Sequence, residues 1–81
     1  MGMNNLKTRI RDLSAVAALA SSGFVVLDIE RDTSGQAYFV FLSTDELERA
    51  TSAYWADTLV VKARTYSDNI KMLKSRIYGE K

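Results

Sequence analysis

Asp28, Glu30 and Asp32 are the residues whose spacing most invites chemistry. On an extended strand, positions two apart share a face, so Asp28 and Glu30 project together with Asp32 just beyond them. Such a trio could hold Mg²⁺ or serve as an acid–base pair. It also has the make-up of a solvated hairpin tip, where carboxylates resist edge-to-edge pairing. The expectation is the tip, with no metal site and no catalytic residue. The chain contains no His and no Cys. That removes thiolate nucleophiles, Cys–His pairs, the usual zinc sites and the side chain most used as a general base. No phosphate-cradling loop, dinucleotide fingerprint, nucleophile elbow or EF-hand loop is present. The residues therefore predict a protein that is not an enzyme and needs no cofactor.

Basic residues form a second set. Arg64, Lys71 and Lys74 fall on one side of a C-terminal helix, and Lys7, Arg9 and Arg11 would join them if an N-terminal helix packed alongside. A stripe of this kind can contact phosphates, which makes a dimeric nucleic-acid-binding protein the alternative reading. Asp57 and Asp68 interrupt the stripe, and the net charge of +1 creates no global field. The charge is nonetheless segregated: residues 1–23 carry +2, 24–54 carry −4 and 55–81 carry +3.

Aromatic residues form the third set. Tyr54 and Trp55 adjoin each other on a helix and cannot both point inward. With Phe24, Val26, Asp28, Glu30, Tyr38 and Val40 on one hairpin face, they compose a candidate protein-binding surface.

The elements that must position these residues can be read from periodicity. Leu6, Ile10, Leu13, Ala17 and Ala20 recur at helical spacing, predicting a first helix started by Asn4 or Asn5 and ended at Gly23. The stretch Lys7 to Ala20 also imitates a secretory leader, but its apolar run is too short and Asp12 stands at its edge, so a helix is the expectation. Phe24–Arg31 and Ala37–Leu42 read as strands joined by a turn containing Gly35. With a three-residue loop between Asp32 and Gln36, Ile29 opposes Phe39 and Leu27 opposes Phe41 on the core side, with Val25 beside them. Ser43 with Glu46 has the form of a capping box opening a second helix. Ala56, Leu59, Ala63, Tyr66, Ile70, Leu73 and Ile77 then repeat as heptads, predicting a long or broken helix that organises the fold. A short third strand at about 58–65 is the alternative for Thr58-Leu-Val-Val.

The expected fold is a single α+β domain over 1–81: N-terminal helix, two-stranded antiparallel hairpin and C-terminal helix, αββα or αββαα. No apolar run approaches the roughly 18 residues of a membrane span, and the absence of Cys is compatible with a reducing cytoplasm. A chain of this size has a thin core and ample apolar residues, which predicts a homodimer. In size, lack of a catalytic set and hairpin-with-helices plan, the chain resembles the small proteins that phages and mobile elements make to block host machinery, anti-CRISPR proteins among them. That resemblance is one of style and carries no residues over. It implies a non-enzymatic module that binds another protein.

Overall fold

The structure, a computed structural model, describes residues 6–79. The element order is β1 (Lys7–Ile10), α1 (Leu13–Ser21), β2 (Asp28–Arg31), β3 (Ala37–Leu42), α2 (Asp45–Trp55) and α3 (Ala63–Tyr78). The α+β class and the broken form of the C-terminal helical region agree with the sequence. The sheet has three strands rather than two, in the order β1-β3-β2, all antiparallel.

The added strand comes from the segment read as the start of the first helix. Lys7-Thr8-Arg9-Ile10 alternates charged and β-branched residues, a pattern that suits a half-buried strand. The helix begins later because Asp12 caps it, its Oδ1 accepting from Ala15 N–H at 2.9 Å. The caps expected at Asn4 and Asn5 lie outside the described residues. Once shortened, α1 buries Ala15, Val16, Ala17, Ala18 and Leu19 consecutively, so every side of it is covered. This helix, not the last one, is the centre of the fold. Its alanines let α3 approach closely, as their shared period predicted, and the partners are joined where Asn69 Nδ2 donates to Ser21 Oγ at 3.0 Å.

The hairpin register is the expected one: Ile29 opposes Phe39, Glu30 opposes Tyr38 and Asp28 opposes Val40. Asp32 N–H donates to Gln36 O across the three-residue loop, and Gly35 takes the positive φ of +89° that the turn requires. Below Asp28 the ladder slips, for Leu27 N–H donates to Val40 O at 2.7 Å. Leu27 and Asp28 thus both stand opposite Val40, a β-bulge. The extra residue reverses the faces of 24–27. Phe24 and Val26 pack against the core, while Val25 and Leu27 are exposed, the opposite of the expected arrangement.

Phe39 and Phe41 on β3 join Val16, Ala17, Leu19, Leu47 and Leu73 in one core, with all three helices on that side of the sheet. Tyr66, Ile70, Leu73 and Ile77 of the heptad seam face this core. The first part of the seam does not: Ala56 ends α2, Leu59 lies in the connection and Ala63 is exposed. The break is set by Asp57, which adopts φ 63°. Asp57 N–H donates to Tyr54 O and Thr58 N–H to Ala53 O, the paired bonds of a Schellman stop. No strand forms at 58–65; Leu59 and Val61 turn half inward from an extended connection. The start of α2 also shifts by one residue. Thr44 Oγ1 caps it, accepting from Leu47 N–H at 3.0 Å, whereas Ser43 turns aside to hydrogen-bond Thr8.

Candidate functional site

The predicted contact residues divide between two surfaces. Asp28, Glu30, Tyr38 and Val40 lie on the sheet face turned away from the helices, together with Lys7 and Arg9 of β1. Tyr54 and Trp55 lie elsewhere, at the C-terminal end of α2. Phe24 and Val26 belong to neither, because the bulge turns them into the core.

On the sheet face, the carboxylates have structural roles. Glu30 Oε1 accepts from Arg9 Nε at 2.7 Å, an ion pair reaching from one edge strand to the other. Val40, between them on β3, is only 1% exposed although no helix covers it. Asp32 Oδ1 accepts from Ser34 N–H, Ser34 Oγ–H and Gln36 N–H, and its Oδ2 accepts from Tyr38 Oη–H. The Ser34 hydroxyl above all, with the Gln36 and Ser34 amides, holds the Asp32 carboxyl below the usual carboxylate range. Among the described residues, no group of three or more Asp or Glu is placed to hold a metal ion.

The aromatic surface is a groove of about 340 Å³ lined by Ala18, Tyr54, Trp55, Leu59, Val61 and Tyr66, with Asp57 at its rim. Each wall has a local cause. The Schellman stop at Asp57 ends α2 and swings the chain across the end of α1. Alternation in the extended connection then aims Leu59 and Val61 inward and leaves Val60 exposed. The small side chain of Ala18 makes the floor. Tyr54 and Trp55 meet edge to face, their ring centroids 4.9 Å apart. Trp55 is 62% exposed. Burial pushes the Tyr54 phenol up, with nearby Asp12 and Tyr66 adding to the effect.

The sequence singled out Tyr54 and Trp55 but not Leu59, Val61 or Tyr66 as their neighbours. The available signal was the apolar run 59–61, which the continuous heptad pattern masked. Leu27 and Val25 were likewise missed as outward-facing, since nothing in the residues marks the bulge.

The basic set is also divided. Arg64, Lys71 and Lys74 are exposed on α3. Lys7 and Arg9 lie on the far side of the sheet from α3, and Arg11 lines a hollow beside Arg31 and Tyr78 at the last turn of that helix. Packing does not bring the six into one stripe. No helix among the described residues is long and apolar enough to cross a membrane.

Residues 5–79 match the model of a family described as a domain of unknown function, DUF5659. The chain belongs to that family. No curated protein and no solved structure matches it. The family match thus spans every element of the fold, from β1 to the end of α3.

Proposed function

We propose that this chain is a small, non-enzymatic protein-interaction module and that the groove beside Trp55 receives an apolar segment of another protein. The observation that carries the reading is the 62% exposed indole, braced by Tyr54, on the rim of a groove with apolar walls. Trp, with Tyr and Arg, is enriched among the interface residues that dominate binding energy. Burial of Trp55 against Leu59 and Val61 supplies the affinity, and Asp57 beside them supplies orientation. Such a module acts by covering its target, as an inhibitor or as a small structural subunit does. The separation of Lys7 and Arg9 from α3 favours this reading over nucleic-acid binding.

The test is a tagged pull-down from a cell lysate with and without nuclease, comparing the wild type with Trp55→Ala. A stoichiometric protein that survives nuclease and is lost with Trp55→Ala, while circular dichroism shows the variant folded, supports the module. Nucleic acid recovered by a salt-sensitive interaction, and lost when Arg64, Lys71 and Lys74 become Glu, would replace it with the nucleic-acid reading.

A further inference from the structure

The outer face of the sheet carries a pattern separate from the groove. On one side of β3 it presents Lys7 and Arg9, and on the other Asp28 and Glu30. Along β3 it is graded as well. Leu42 and Leu27, exposed at 50% and 51%, lie toward one end, and the Arg9–Glu30 pair with Tyr38 lies toward the other. A face that is basic on one flank, acidic on the opposite flank and apolar at one end is complementary to itself under one rotation. We propose that this face is the contact between two copies of the chain, related by a two-fold axis running along β3.

The choice of axis follows from charge and apolar surface together. Two sheets stacked face to face as an aligned sandwich can be related by a two-fold axis along the strands or across them. The axis along β3 lays the β1 flank of one copy over the β2 flank of the other, so Arg9 meets the partner copy's acidic strand. It also sets the Leu42 end over its own counterpart. The axis across the strands would instead place basic over basic, acidic over acidic and apolar over charged. Like charges brought into opposition are destabilising. Arg9 has donors to spare for the first arrangement, because its bond to Glu30 uses Nε alone among the described residues. Among the described residues, Asp28 Oδ1 accepts only from the neighbouring Ile29 N–H, at 2.8 Å.

The face is small, roughly 14 Å across three strands and 20 Å along six residues. That is below the roughly 800 Å² per partner of a standard stable interface. The dimer is therefore concentration-dependent, and its charge contacts weaken with salt.

Sedimentation velocity on the full chain at low salt, over rising concentration, tests this. The expected result is a monomer–dimer equilibrium that Leu42→Glu abolishes and Asp28→Lys weakens several-fold. Lys7→Glu added to Asp28→Lys recovers part of the loss. Trp55→Ala leaves the dimer unchanged, which separates this interface from the groove. Circular dichroism checks that each variant is folded. A chain that stays monomeric up to about 1 mM, or a dimer indifferent to Leu42→Glu, overturns the proposal. So does a dimer tightened by Asp28→Lys, the outcome the axis across the strands demands.

Discussion

Arg9 and Glu30 sit on the two edge strands of the sheet, which are not paired by backbone hydrogen bonds, yet their side chains meet at 2.7 Å across β3. Beneath that bridge Val40 is as buried as the core phenylalanines. The ion pair is itself largely solvated, and solvated pairs contribute little and are screened by salt. Val40→Ala should therefore cost more than either Arg9→Ala or Glu30→Ala, by about 1–3 kcal/mol for the lost methyl groups and the space they leave. Urea denaturation of the three variants at low and high salt checks the order. Only the Arg9 and Glu30 variants should converge on the wild type as salt rises.

Helix α1 has no free side, so its alanines limit the approach of everything around it. Ala17→Leu should destabilise by about 1–3 kcal/mol or more through overpacking. Asp12→Ala should cost about 1 kcal/mol by leaving the Ala15 amide uncapped. Thermal melts of both variants, with the exposed Ala63→Leu as a control that should change little, measure these effects.

Asp57 occupies left-handed backbone at the end of α2. Glycine adopts that conformation without strain, so Asp57→Gly should stabilise the fold by roughly 0.5–1 kcal/mol, whereas Asp57→Val should destabilise it. Chemical denaturation decides the sign. A destabilised Asp57→Gly would show that the carboxylate, rather than the backbone, sets the stop.

Asp32 provides a pH test. Its carboxyl is held below the unfolded value of about 3.9, chiefly by Ser34. Lowered in the folded state, it contributes stability that is present above the unfolded pKa and lost as pH falls through the folded one. The wild type should accordingly lose stability more steeply below about pH 4 than Asp32→Asn does. Parallel acid titrations followed by circular dichroism would show the curves converging as the pH drops.

The hairpin was legible because its determinants are local: Gly35 dictates the turn, and the loop length dictates the register from Ile29 to Phe39. The pairing of α1 with α3 was legible from matched periodicity. Three features were not. Leu6 and Ile10 fit a helical seam and a strand equally well, and the choice depends on β3 being present to accept β1. The heptads run unbroken through Asp57, where a conformation that favours glycine is held by an aspartate with no glycine to announce it. The bulge at Leu27 and Asp28 ends the continuous apolar run from Phe24 to Leu27, which has no alternation to show which side chains face inward. Of the candidate contact residues, Tyr54 and Trp55 were visible because adjacent aromatics on a helix cannot both point inward, and Trp55 is the one left exposed. Their apolar neighbours came from a connection whose course only the α2 stop defines.

The third strand has a kinetic consequence. Thr8 meets Ser43 across a separation of 35 residues, whereas β2 and β3 are joined by a tight turn. Closing the longer loop costs on the order of 2 kcal/mol more in chain entropy, and α1 must be formed within it. The hairpin should consequently assemble first and β1 dock last, on a sheet already supported by its helices. The same order in reverse makes β1 the first strand to let go, so its amides should exchange with solvent well before those of β3.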